Sequence, residues 1–401
     1  MKIAIRPGKA RGEVRAPSSK SSAHRLLIAS GLAEGESRIR GIDLSDDVLA
    51  TMGALGAFGA EIRKEGDAYA IRGVDPRNAK PRTIDCRESA TTLRIFLPLA
   101  LLAGGTTLFT GCERLFARPL SVYETIAKEK GFRLRRVPGG LEADGSLPAG
   151  EYRFPGDISS QFTTGLLFAL PHLAGESRIG LLEPVKSRPY IDLTLAELLR
   201  HGVRVERTAE NRFRIPGRQR FSPLDAGAEG DWTNAAVLEG LNLLGGDVRV
   251  TGLSGSSLQG DRVFREHFDR LLRGEPEIDL SDCPDLGPVL MALAAVHGGA
   301  VFRGTERLRF KESDRVEAMR SELARFGIKT ETGEDRVRIP AAKLRKPDSP
   351  LSGHGDHRVV MALSLLLTLT GGEIDGAEAV TKSFPDFFER LSSLGIGIER
   401  G

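Results

Sequence analysis

Cysteine is scarce in this chain of 401 residues: Cys86, Cys112 and Cys283 only, widely spaced and without a CxxC pair. That excludes a disulfide framework and a cysteine zinc set, and points to a reducing, cytoplasmic setting. Long apolar runs are also missing. The longest, near Ile95–Ala103 and Val359–Leu369, are too short to span a bilayer. The opening residues "MKIAIRPG" lack the apolar stretch of a signal peptide. Excess charge of one sign is absent too. A formal net charge of +3 argues against a general nucleic-acid binder, which needs a concentrated basic face. Any anion site must therefore come from local arrangement of side chains.

Glycine, by contrast, is abundant, 47 of 401 residues, and it recurs in register. Six segments open on glycine followed by a short alternating strand: "GESRIRGID" at Gly35, "GTTLFTGCE" at Gly105, "GESRIGLLE" at Gly175, "GDVRVTGLS" at Gly246, "GAVFRGTER" at Gly299 and "GGEIDGAEA" at Gly371. A helix-period stretch comes after each: Val48–Phe58, Ser121–Lys130, Tyr190–His201, Asp261–Arg273, Asp314–Phe326 and Pro385–Leu394. Five of these lead to a glycine-led strand, "GAEIRK", "GFRLRR", "GVRVER", "GIKTET" and "GIGIER", the glycine serving as a left-handed helix stop. Second helices are readable over Ser89–Ala103, Ser160–Leu170, Asn234–Leu244, Pro284–Val296 and His357–Leu369.

The segment starts lie about 70 residues apart, apart from a shorter step of about 53 between the fourth and fifth. Six α/β units of this size fit two domains of three. The join falls near "SPLDAGAEGDW", Ser222–Trp232, which has the small, polar composition of a boundary.

Seven stretches carry polar and charged side chains at helix starts or in the loops before them. They are "KSSAHR" (Lys20, Ser21, Arg25), "RESATTLR" (Arg94), "FARPL" (Arg118), "GDISSQF" (Ser159, Ser160, Gln161), "DCPDLG" (Asp285), "RLRFKESDR" (Lys311, Glu312, Asp314, Arg315) and "GHGDHR" (Asp356, His357, Arg358) with Lys382 nearby. Taken singly, an ordinary helix cap or a solvated charge explains most of them. Taken together, they occupy equivalent places in repeated units. Lys20, Arg94, Arg118, Arg315, Arg358 and Lys382 would then gather into one cationic site. Such a site needs anions, and two phosphorylated small molecules would supply them. Asp285 and Glu312 stand out as acids among these bases, suited to proton transfer. The carboxylates and the seven histidines are not grouped at ligand spacing, so no metal is expected.

The motifs "SKSSAHR", "SSQFTTGLL", "SRPYIDLT", "EGDWTNAA", "LQGD", "KESDR", "GDHR" and "TKSFPDFF" resemble, in that order and from end to end, those of the 5-enolpyruvylshikimate-3-phosphate (EPSP) synthase family. The resemblance implies a two-domain inside-out α/β barrel, each domain built of three βαβαββ units. One domain would span 14–228. The other would combine 1–13 with 229–401, and the active site would lie in the cleft between them.

The resemblance further implies transfer of the enolpyruvyl group of phosphoenolpyruvate to the 5-hydroxyl of shikimate 3-phosphate, through a tetrahedral ketal, with release of phosphate. No cofactor, metal, nucleic acid or membrane is implied, and the chain would act as a monomer. By the same resemblance Ser21, Arg25, Ser159, Ser160, Gln161, Tyr190, Asp285 and Lys311 would hold shikimate 3-phosphate. Lys20, Ala90, Arg94, Arg118, Gln161, Arg315, Arg358 and Lys382 would face phosphoenolpyruvate, with Asp285, Glu312 and Lys20 as catalytic groups.

Two departures stand out. "ESAT", Glu88–Thr91, places Ala90 where the family often has glycine. Its methyl would narrow the phosphoenolpyruvate pocket, which in the family also takes the longer inhibitor glyphosate. Arg307 stands where asparagine is frequent, and that contact is not carried over. Two other readings remain: the sister enzyme acting on UDP-N-acetylglucosamine, for which Cys112 ahead of Arg118 is a weak sign, and a non-catalytic phospholigand binder on the same scaffold.

Overall fold

The computed structural model describes every residue except position 275. The chain divides into two compact units: a continuous one, Ser18–Glu229, and a discontinuous one, Met1–Pro17 with Gly230–Gly401. Each has its own hydrophobic core.

The six glycine-led segments are equivalent strands. Each is the second strand of its own sheet and runs parallel to a first strand. In the continuous unit Glu36–Arg40 pairs with Asp225–Gly227, Thr106–Thr110 with Thr83–Asp85, and Ser177–Leu182 with Glu151–Pro155. In the discontinuous unit Asp247–Thr251 pairs with Arg11–Arg15, Gly299–Arg303 with Glu277–Asp279, and Gly372–Asp375 with Leu351–Ser352. Five of the sheets then add two antiparallel strands to reach four.

The fourth sheet stays two-stranded among the described residues, which accounts for the short repeat step. In the sixth sheet the third strand is Lys2–Ile5, from the chain's own start, paired with both Gly372–Asp375 and Ile398–Arg400. The N-terminal segment thus completes the last repeat, and Arg11–Arg15 stays whole within the same unit.

Several expected elements are shorter or divided. The strands of "GVRVER" and "GIKTET" begin only at Glu206 and Glu331. Asp261–Arg273 divides into a 3₁₀ turn, Gly260–Val263, and a helix, Phe264–Leu272. Pro284–Val296 divides at Leu286/Gly287 and its helix ends at Ala294.

A helix precedes each second strand: Lys20–Gly31, Ala90–Ala103 and Ser160–Ala169 in the continuous unit, Trp232–Leu243, Gly287–Ala294 and His357–Thr370 in the other. These helices are apolar on nearly every face. His357 through Thr368, for example, is buried without interruption. A helix lacking a polar face must lie inside, so the sheets sit outside and the helices within.

Close approach is set by particular residues. A Cβ on Gly165 would stand 2.5 Å from the Arg94 carbonyl and 2.5 Å from the Tyr123 hydroxyl, so glycine lets the Ser160 and Ala90 helices meet. Pro98 has no N–H to give the carbonyl four residues earlier, that of Arg94. The Tyr123 hydroxyl donates to that oxygen instead, at 2.7 Å. The turn of helix carrying Arg94 is thereby fixed.

Candidate functional site

Every expected site residue except Arg118, Tyr190, Lys311, Glu312, Arg315 and Lys382 lies at or near the start of one of the six inner helices. In the continuous unit the helix starts are capped by side chains. Ser19 accepts from Ser22 N–H, Ser89 from Thr92 N–H, and Ser159 from Gln161 N–H. Serine and its neighbours so placed leave the first-turn N–H groups and the adjoining side chains together at one end of the unit.

Arg25 is 4% exposed. Its guanidinium donates to Thr194 Oγ1 (2.9 Å), Thr164 Oγ1 (3.3 Å) and the carbonyls of Ser21 (2.8 Å) and Tyr190 (2.9 Å). All four acceptors are uncharged. Burial therefore dominates and brings Arg25 down to about 10, against weaker upward pulls from Tyr190 and Glu197. A buried cation without a bound counter-charge is costly in the free protein and favourable toward an anion.

Arg94 donates to Gln161 Oε1 (2.8 Å), Ser159 Oγ (3.4 Å) and the Pro119 carbonyl (2.7 Å), and lies over the Phe162 ring. Gln161 in turn donates to Thr91 Oγ1 at 2.8 Å. Arg118 ends the short Glu113–Ala117 helix, one residue before that Pro119. Lys20 pairs with Asp47 at 2.8 Å. Ser160 and Ala90 are buried first residues of their helices, while Glu88 is exposed.

In the discontinuous unit the charges are interlocked. Asp285 Oδ1 accepts from Arg315 Nη1 (2.8 Å) and Lys311 Nζ (3.2 Å), and Arg358 Nη2 stands 3.9 Å from Oδ2. Burial alone would raise the Asp285 carboxyl. Lys311, Arg315 and Arg358 together outweigh burial and hold it well below the usual range. Arg315 is 1% exposed and also donates to Asp356 and Glu312, both at 2.9 Å. Its nitrogens are thus engaged with three carboxylates.

Arg358 donates to Asn234 Oδ1 at 2.7 Å, and Lys382 to the Gly355 carbonyl at 2.7 Å. Asp261, buried beside Thr233, is pushed up to about 7 by burial first and by Asp285 second.

Sequence reasoning missed Asp47, Thr164, Thr194, Asn234 and Asp261, and passed over Asp356 as a helix-start charge. An Asp in the "GDHR" run had the same helix-start signal as Asp285. Thr164 and Thr194 stand inside the quoted motifs "SSQFTTGLL" and "SRPYIDLT", but an interior helix position does not by itself show what its side chain faces.

A family profile described as EPSP synthase (3-phosphoshikimate 1-carboxyvinyltransferase) matches residues 5–391. The 3-phosphoshikimate 1-carboxyvinyltransferase of Clostridium kluyveri is 38% identical, with 99% of this chain and 98% of that protein covered. That of Clostridium perfringens is 36% identical, with 100% and 99% covered. Among solved structures, EPSP synthase from Acinetobacter baumannii superposes with a TM-score of 0.78 at 23% identity, over 100% of both chains. The enolpyruvyl transferase NikO from Streptomyces tendae shares the fold at 0.77 and 16% identity, over 99% and 98%. With both the sequence and the two-unit, inside-out α/β fold in agreement, the chain belongs to the EPSP synthase family.

Proposed function

We propose that this protein transfers the enolpyruvyl group of phosphoenolpyruvate to the 5-hydroxyl of shikimate 3-phosphate, and that the clusters of both units serve this one reaction. The observation that carries the reading is Asp285, a carboxylate held ionised among Lys311, Arg315 and Arg358. Full-length relatives named for this activity support it. They do not favour transfer to a UDP-sugar.

In the proposed assignment Arg25, Ser21, Ser159, Ser160, Gln161, Tyr190 and Lys311 hold shikimate 3-phosphate. Arg25 supplies the positive charge, since all four groups to which it donates are uncharged. Lys20, Arg94, Arg118, Gln161, Arg358 and Lys382 hold phosphoenolpyruvate, with Ala90 against it. Arg315 contributes chiefly by fixing Asp285, Glu312 and Asp356 relative to one another.

The 5-hydroxyl oxygen attacks C2 of the enol and loses its proton, while C3 gains one, giving the ketal. Phosphate then leaves and the C3 proton departs. Asp285 takes the hydroxyl proton; Glu312 and Lys20 serve the C3 side. In the free protein Lys311, Arg315 and Arg358 hold the Asp285 carboxyl below its usual range. Anionic substrates drawing on Lys311 and Arg358 reduce the cationic field at its carboxylate and raise its basicity where it is needed.

A phosphate-release assay with phosphoenolpyruvate and either shikimate 3-phosphate or UDP-N-acetylglucosamine tests the reading. Release is expected with shikimate 3-phosphate alone. Asp285→Ala and Glu312→Ala are expected to fold and to lose about 10²–10⁴-fold in turnover. Near-normal turnover in either variant removes that residue from the mechanism.

A further inference from the structure

The helix Arg315–Arg325 lies alongside the segment that leads into Asp356, and it grips that segment at three places along its length. Near its end Arg325 donates to the carbonyls of Pro350 and Ser349, each at 2.8 Å. One turn earlier the Glu322 carboxylate, only 6% exposed, accepts twice: from Ser352 N–H at 3.1 Å and from His354 Nε2 at 2.9 Å. At the first residue of the helix Arg315 meets Asp356. On its other side the segment is held by the sheet, through Leu351–Ser352 and the Gly353 N–H, which donates to the Asp375 carbonyl at 2.8 Å.

His354 is the unusual residue of this run. Its φ is +51°, in the left-handed region that non-glycine residues seldom occupy. Its own N–H donates to Ser352 Oγ at 3.2 Å, and its ring donates to Glu322. These two tethers hold a backbone turn that a histidine would otherwise leave. The turn matters because it delivers the next two residues to the cationic cluster. The carbonyl of Gly355 receives Lys382 Nζ, and Asp356 receives Arg315 while capping the helix that bears Arg358.

We infer that Glu322 and His354 are positioning residues: together they clip the 352–356 turn so that Gly355 holds Lys382 in place and Asp356 holds Arg315. The assignment rests on the proposed reaction for its kinetic consequence, because Lys382 is there a phosphoenolpyruvate ligand. It rests on geometry alone for its effect on Lys382 itself. His354→Leu keeps bulk and removes the donor. His354→Gln keeps a side-chain donor. Glu322→Gln replaces one of the two accepting oxygens by a donor.

Two readouts on the full chain test the clip. The first is the acylation rate of Lys382 by an amine-reactive ester, read by peptide mass mapping without substrate. Loss of its carbonyl acceptor is expected to change this rate at least about threefold in His354→Leu and Glu322→Gln, with recovery toward the parent in His354→Gln. The second is kinetic: KM for phosphoenolpyruvate rises about tenfold in His354→Leu, while KM for shikimate 3-phosphate stays within about twofold.

Unchanged Lys382 reactivity in both His354→Leu and Glu322→Gln overturns the clip. If the parent protein shows no turnover with the two substrates, the proposed reaction fails, yet the lysine comparison still decides the clip. If His354→Leu does not fold, Glu322→Gln carries the same two readouts.

Discussion

Arg315 and Asp356 face each other at 2.9 Å with both side chains closed off from solvent, 1% and 0% exposed. The pair joins the start of one helix, Arg315–Arg325, to the cap of another, His357–Thr370. Removing one partner leaves the other charge buried with fewer acceptors or donors. Asp356→Ala is therefore expected to lower the stability of the discontinuous unit by about 3–5 kcal/mol. Urea denaturation monitored by Trp232 fluorescence checks this, and a loss below about 1 kcal/mol counts against it.

Arg25 makes the complementary prediction in the continuous unit. Its four uncharged partners leave it ready for an anion. Shikimate 3-phosphate at one hundred times its dissociation constant should stabilise the parent by about 2.7 kcal/mol, seen as a melting shift of about 5–10 °C. Arg25→Ala should cut that shift to about half or less at the same ligand concentration, since charge-assisted hydrogen bonds contribute about 1.5–3 kcal/mol each. A full shift in the variant would place the phosphate elsewhere.

His172 predicts a pH dependence. It stacks on Phe221 at 5.0 Å, and its Nε2 has no hydrogen-bond partner among the described residues. Burial brings it down from 6.5 to about 4, with Asp75 pulling up and Arg77 down more weakly. The folded protein thus keeps it neutral where the unfolded chain already binds a proton. Its contribution to stability is complete above pH 6.5, falls as the pH drops toward 4, and is constant below that, a change of roughly 3 kcal/mol. His172→Phe should retain the stacking and flatten this part of the profile. Denaturant melts at pH 7 and 4.5 measure it; equal pH slopes in the two proteins refute it. His24 and His267, brought to about 3 and about 4 by burial, leave a residual slope in the same direction.

Ala90 is the first residue of its helix and 4% exposed, directly after the capping Ser89. If its methyl narrows the phosphoenolpyruvate pocket, Ala90→Gly should lower the inhibition constant of glyphosate by about tenfold, the scale of relieving one overpacked methyl. KM for phosphoenolpyruvate should change far less. Equal inhibition constants for the two forms would remove Ala90 from that role.

The repeat was legible because glycine and strand alternation are local signals, and all six glycine-led segments are equivalent strands in the sheets. Legibility failed where local and distant forces diverge. "GVRVER" alternates well, yet its first residues pair with no strand, since a ladder needs a neighbour and Arg212–Ile215 reaches only Glu206–Ala209. Asp261 sits in a stretch with helical spacing but lies in a 3₁₀ turn, with its carboxylate accepting from Thr233. Lys20, Arg25, Arg94 and Asp285 were readable as site candidates because a charge at an apolar helix start is conspicuous. Thr164 and Thr194, which complete the Arg25 setting, are not conspicuous at all.

By itself the sequence determined the family, the six-fold α/β repeat and the residue types available for binding anions, because each is written in short-range spacing. Only the tertiary structure decided which charges are spent on one another. Arg25 and Arg315 look alike along the chain, yet one is surrounded by hydroxyls and carbonyls and the other by three carboxylates. Partner choice depends on which helix starts the packing brings together, and at these distances in a buried setting a change of neighbour outweighs anything the residue carries alone.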